Sequence, residues 1–264
     1  MTTFPSERDH GDALPGRLEA LYRRFNRREY VHPDPLEFLY RYDRIEDREV
    51  AAFIASALAY GRVEIILRSA WTVLEPMGGF PHRFLQDAGR DDLVDCYRDF
   101  RHRFASGKDI VDFLMAIRGM IRADGSLYAG FLSGYRSGEP SLIAAQIRFC
   151  GALYRIAGRP LGHLLPSPER GSACKRLNLF FRWMVRQDEV DPGGWDRIRK
   201  DQLLVPLDTH MDRLGRMFGF TRRHASDLKT AIDITDGYRH IVPEDPVRYD
   251  FVLTRTGIRN DVQW

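Results

Sequence analysis

Glu46–Leu74, EDREVAAFIASALAYGRVEIILRSAWTVL, is long, rich in alanine and largely apolar, with its apolar residues at helical spacing. Such a run reads as buried helix, interrupted near Gly61, and the rest of the chain must supply the faces that cover it. Those faces are also helical. Leu14–Arg28, Pro81–Asp87, Asp91–Phe104, Ile110–Asp124, Leu127–Ser133 and Ser141–Arg155 carry the helical period, and Val31-His-Pro-Asp-Pro35 and Glu75-Pro-Met-Gly-Gly79 break it. No segment alternates apolar and polar residues with period two between turn signals, and repeats are absent. The expected fold class is all-α.

Beyond Arg155 the texture changes. Ala157–Pro168, AGRPLGHLLPSP, is rich in Gly and Pro. A helix is expected over Ser172–Arg186, a loop over Asp188–Trp195, a short helix over Trp195–Leu203 and another opened by Val205–Leu214, VPLDTHMDRL. Arg223–Thr235 reads as helix, and Asp245-Pro246 as the start of the last one, with Pro at its first position.

Composition narrows the function classes. A chain of 264 residues suits one sizeable domain. No run of about 18 apolar residues exists, so a membrane span is excluded. The opening MTTFPSERDHGD is polar and reads as neither signal nor transit peptide, which places the protein in the cytoplasm. Cys96, Cys150 and Cys174 are too few and too far apart for a disulfide framework, a cysteine-rich zinc site or a four-cysteine cluster. The net charge of +3 gives no warrant for nucleic-acid binding, although residues 170–223 hold twelve Lys/Arg against seven acids. Such a patch suits phosphate contact or a solvated surface.

Only four of the forty basic residues are lysine: Lys108, Lys175, Lys200 and Lys229. Arginine serves most surface roles but cannot act as a neutral amine nucleophile. With Ser172 as N-cap, Lys175 falls in the first turn of its helix. The apolar stripe Cys174, Leu177, Phe181, Met184 faces a core, and Lys175, Asn178, Arg182 and Arg186 lie on a polar face. The positive end of the helix and neighbouring guanidinium groups disfavour a protonated amine there. On its own, Lys175 reads as a solvated or phosphate-binding residue rather than a nucleophile. Asp208, before the next helix, has the form of an N-cap. A metal site from Asp208, His210 and Asp212 is not expected, because only residues four apart share a helix face.

Taken together, a helix carrying lysine, a Gly/Pro-rich hairpin before it and Val-Pro-x-Asp-x-His opening the next helix resemble the helix-hairpin-helix DNA glycosylases. The archaeal 8-oxoguanine glycosylase branch is the nearest in pattern, because it too separates lysine and aspartate widely. A bacterial family usually left uncharacterised also looks similar over most of the chain. The hairpin departs from the superfamily's Leu-Pro-Gly-x-Gly: here it is Leu165-Pro-Ser-Pro-Glu-Arg-Gly171.

The resemblance implies two helical subdomains flanking a cleft, one of about residues 45–175 and one formed by about 1–44 with 176–264. It implies a base-excision DNA glycosylase with AP-lyase activity on an oxidised purine such as 8-oxoguanine. Lys175 would be the nucleophile and Asp208 the carboxylate that stabilises positive charge on the sugar. Leu179, one turn after the lysine, would pack one face of the extruded base, Tyr249 the other, and Asp245 would read a polar edge. Phe53–Arg62 matches the segment near the DNA-inserting loop, which brings Tyr60 and Arg62 to the substrate. Arg170, Gly171 and Arg182 would contact the DNA backbone. The implied partner is damaged double-stranded DNA, bound by a monomer without metal or organic cofactor. Two rivals stay open: a non-catalytic DNA-binding protein on the same scaffold, and a glycosylase that leaves the strand uncut.

Overall fold

The computed structural model describes residues 10–258, with side chains from 14 to 255; most of the polar opening segment lies outside the described residues. The described residues are all-α apart from one small hairpin. Its first helix, α1 (His10–Phe25), leads through short 3-10 turns to α2 (Ile45–Ala57), which is buried along nearly its whole length. Then come α3 (Val63–Leu74), α4 (Pro81–Asp87) and α5 (Arg90–Tyr97). The break between α2 and α3 falls where Gly61 takes φ +104°.

The sequence predicts helix through Phe104, but the chain leaves α5 at Tyr97. Strands β1 (Arg101–His102) and β2 (Ala105–Ser106) pair antiparallel around Arg103-Phe104. His102 is buried beneath this turn, with Nδ1 2.9 Å from Ser69 Oγ and Nε2 3.1 Å from the Tyr60 carbonyl. Those two side-chain bonds anchor the imidazole, and the Tyr60 hydroxyl donates to the His102 carbonyl at 3.0 Å, so the segment is held as a hairpin rather than as another helical turn. Helix α6 (Gly107–Asp124) opens with a capping box of Ser106 and Asp109, and is followed by α7 (Leu127–Gly134) and α8 (Ile143–Ala157).

The core is aromatic. Phe53 of α2 meets Phe113 of α6, Phe149 of α8 and Phe180 of α9 (Lys175–Val185), with ring centroids 4.8–5.7 Å apart. Trp195 completes the cluster against Phe131, Phe180 and Phe181. The expected helix over Trp195–Leu203 is absent: only Lys200–Gln202 makes a 3-10 turn. Instead, the chain doubles back along α9, with the Gly193 and Trp195 amides donating to the Trp183 and Met184 carbonyls. Gly193 is required there, because at φ +64° a Cβ would lie 2.9 Å from the Arg186 carbonyl oxygen.

Glu49 ties this cluster together. Its carboxyl is fully buried and accepts from the Leu127 and Tyr128 amides, at the start of α7, and from Trp195 Nε1 at 3.0 Å. Burial pushes the carboxyl up from the ordinary 4.5 to about 8, against the pull of those three donors. A folded-state value above the unfolded one makes this contribution complete below pH 4.5 and lost as pH rises through 8. The expected result is a wild-type stability that declines across that window and a flatter profile for Glu49→Gln in urea unfolding. Glu49→Ala, which strands three buried donors, should lose about 2–4 kcal/mol.

The remaining helices are α10 (Thr209–Met217), α11 (Leu228–Ile241) and α12 (Asp250–Ile258). Helix α10 packs on α11 and α12, and α1 packs on α12. No helix among the described residues is long and apolar enough to cross a membrane.

Candidate active site

Helix α9 starts two residues later than a Ser172 cap implies. Ser172 Oγ accepts the Cys174 amide at 3.3 Å, a local turn. Cys174 then takes the left-handed conformation (φ 45°) as N-cap, so Lys175 is the first helical residue. Asp208 caps α10: its Oδ1 accepts the Met211 amide at 2.8 Å. Its other oxygen, Oδ2, lies 3.7 Å from Lys175 Nζ. The cap bond fixes the rotamer of the carboxylate and leaves the second oxygen for the lysine. Both side chains are about one-third exposed, so the pair adds little stability of its own.

The pair lies in a cleft of about 500 Å³. Its walls come from Pro33–Pro35, the turn between α2 and α3 with the first turn of α3, the exposed face of α9, Pro206 and α12. On α9 the sequence Lys175, Leu179, Arg182 presents one residue per turn to the cleft, the i, i+4, i+7 spacing of one helix face. Arg62 also lines the cleft. Tyr60 stands beside it, donating its hydroxyl to the His102 carbonyl at 3.0 Å, with the Arg176 guanidinium 4.5 Å from its ring centre.

Arg182 is not the solvent-facing phosphate contact that the sequence suggests. It is 2% exposed and paired with both Asp191 and Asp250. Arg186 is buried likewise, held by Asp188, Asp191 and Asp245. The polar face of α9 is therefore an internal ion network, because the acids of the 188–191 loop fold back over it. Isolated, such charges would cost too much to bury; paired and hydrogen-bonded, they fix the loop to the helix.

Asp245 and Tyr249 do not reach the cleft. Asp245 is 4% exposed and accepts both of its bonds from Arg186. Tyr249 is buried, donates to Glu19 Oε2 at 3.2 Å and meets Tyr22 edge-on. The Asp-Pro signature at 245–246 makes a turn, closed by the Arg248 amide on the Asp245 carbonyl, and the helix starts only at Asp250. The register is thus displaced, and α12 offers Asp250, Thr254 and Arg255 to the cleft. Tyr249→Ala is accordingly expected to lose about 3 kcal/mol of stability as a core truncation, measured by urea unfolding, with any ligand preference of the cleft unchanged.

Asp250 is what the sequence reading missed. Burial pushes its carboxyl up to about 6, opposed by Arg182 and reinforced by the negative charge of Asp208. Its Oδ2 is paired with Arg182, but Oδ1 is buried with no partner. Arg255, also buried, pairs with Asp34, which caps the 3-10 turn after it. Among the described residues no aromatic ring lines the cleft; its apolar walls include Pro33, Pro35, Val63, Ile66, Leu179 and Pro206.

The hairpin residues lie to one side. Gly171 ends the 3-10 turn Pro168–Arg170 at φ +79°, a conformation that favours glycine, and its carbonyl accepts the Leu228 amide. Arg170 is exposed. His210 Nε2 sits 3.0 Å from the Leu253 carbonyl, joining α10 to α12. Among the described residues no group of three His, Cys, Asp or Glu is placed to hold a metal ion.

The family model described as a protein of unknown function (DUF2400) matches residues 34–259, from the capping Asp34 through α12. No curated protein and no solved structure matches the chain. The match takes in the lysine, the aspartate and every wall of the cleft except Pro33. The chain belongs to the DUF2400 family.

Proposed function

We propose that this protein is a DNA glycosylase with AP-lyase activity, on a scaffold of the helix-hairpin-helix glycosylase kind with its two subdomains meeting at the cleft. The carrying observation is the Lys175–Asp208 pair: an amine and a carboxylate 3.7 Å apart, each held at a helix N-terminus, in one cleft.

In this reading a damaged nucleotide leaves the duplex and enters the cleft. The neutral amine of Lys175 attacks C1′ of the deoxyribose; the new N–C1′ bond forms as the bond to the base breaks, and the base departs with the electron pair and gains a proton. The nitrogen lone pair then opens the sugar, giving an imine while the ring oxygen takes a proton. Loss of a proton from C2′ expels the 3′ phosphate and cuts the strand. The Asp208 carboxylate opposes the positive charge that develops on the sugar and orients the amine. Neither step calls for a cofactor.

The extruded base, an oxidised purine such as 8-oxoguanine, would pack against Leu179 and the proline walls. Asp250, which lines the cleft, replaces Asp245 as the acid that reads its polar edge; its Oδ1 is buried beneath the cleft wall without a hydrogen-bond partner. A panel of duplexes, each with one lesion, tests this: free base and a cut strand should appear for an oxidised purine. Binding to every duplex without base release favours a DNA-binding protein, and base release with an intact strand favours a monofunctional glycosylase.

A further inference from the structure

Helix α1 and the turn after it carry an arginine face that the cleft does not use. Residues 17–28 hold Arg17, Arg23, Arg24, Arg27 and Arg28 against one acid, Glu19. That surplus exceeds the +3 of the entire chain, so the rest of the molecule is close to neutral or negative. Glu19 is already engaged, accepting from Arg23, Arg248 and Tyr249. Arg17, Arg24, Arg27 and Arg28 are exposed, and among the described residues none has a carboxylate within 4 Å.

Part of this charge has a structural explanation. Arg23 and Arg24 sit in the last turn of α1, where cations complement the helix dipole. Arg28, beyond its end, stacks on Tyr40 with its guanidinium 3.9 Å from the ring centre, whereas Arg17, in the middle of the helix, and Arg27, beyond its end, have no such reason. Crowding like charges along one face costs stability. The face also has a shape: Gly16, Ala20 and the already paired Glu19 line an open depression that Arg23, Arg24 and Arg27 border. A polyanion backbone could approach the helix closely there.

We infer that the α1 face binds the phosphate backbone of duplex DNA flanking the cleft. This rests on the glycosylase reading for its partner. Arg17 and Arg24 are about 10 Å apart along the helix, a length over which a duplex carries about six phosphate charges. The chain then runs from Arg28 to Pro33, a cleft wall, in five residues, which span at most about 18 Å. The stripe therefore ends close to the cleft. A membrane surface fits less well, because the apolar residues of α1, Leu18, Leu21 and Phe25, pack inward and leave nothing to insert.

The test is the salt dependence of binding to an undamaged duplex, for the full chain and for the triple variant Arg17→Gln, Arg24→Gln, Arg27→Gln. Loss of three phosphate contacts should reduce the slope of log K against log salt by about 2–3 and weaken low-salt binding at least about tenfold. The lesion-to-undamaged affinity ratio should stay unchanged, and unfolding should match wild type because the side chains are exposed. A variant with the wild-type slope and affinity overturns the inference and leaves the catalytic reading standing. A wild-type chain that binds no duplex at low salt sinks both. Vesicles containing phosphatidylserine should not compete for the chain; if they bind it through these arginines in preference to duplex, the partner is a membrane and the inference fails.

Discussion

Lys175→Gln is expected to abolish a borohydride-trapped adduct between the protein and lesion-bearing DNA, with the fold intact. Lys175 is the first residue of α9 and one-third exposed, so the loss of its charge hardly touches the core. Its removal deletes the only amine that lines the cleft among the described residues: the other cations there, Arg62, Arg182 and Arg255, are guanidinium groups. Lys175→Arg should be as inactive as the glutamine variant, because it keeps the charge and loses the neutral amine. A charge-only role predicts the opposite, substantial activity with arginine. Gel detection of the trapped species for the three proteins distinguishes these outcomes.

The second large effect is expected at Asp208. Asparagine keeps the oxygen that accepts the Met211 amide, so the helix cap survives. Even complete loss of a cap costs only about 0.5–2 kcal/mol, and Asp208→Asn should leave the midpoint of thermal unfolding nearly unchanged. The negative charge facing Lys175 is lost, and base excision should fall by about 10²–10³-fold, the range seen when one electrostatic stabiliser is removed. Excision within a factor of three of wild type would mean that Asp208 serves only as a cap.

The geometry of this pair accounts for how much was legible in the sequence. Lys175 stood out because the chain otherwise prefers arginine, and Asp208 because a proline and a helical pattern frame it; both signals are local. The all-α class was equally legible, since each helix announces itself through its own periodicity. What was not legible depended on distant partners. Arg182 and Arg186 look solvated from their own helix, and it is the return of the 188–195 loop together with Asp245 and Asp250 that encloses them. Asp245-Pro246 has the form of a helix start, yet Arg186 draws the Asp245 carboxylate inward and α12 begins at Asp250. A displacement of four residues moves a different set of side chains to the cleft. It replaces Tyr249 and Asp245 by Asp250, Thr254 and Arg255. The turn at Arg103-Phe104 was hidden for a similar reason, because buried His102 bonds to Ser69 and Tyr60 from elements more than thirty residues away.

The most direct measurement is the mass of the modified peptide after borohydride reduction of the protein with an 8-oxoguanine duplex and proteolysis. The account predicts a sugar remnant on the peptide that contains Lys175 and on no other. A remnant on Lys108, Lys200, Lys229 or the terminal amine would contradict it, as would the absence of any adduct on a duplex from which the protein has demonstrably removed the base and cut the strand.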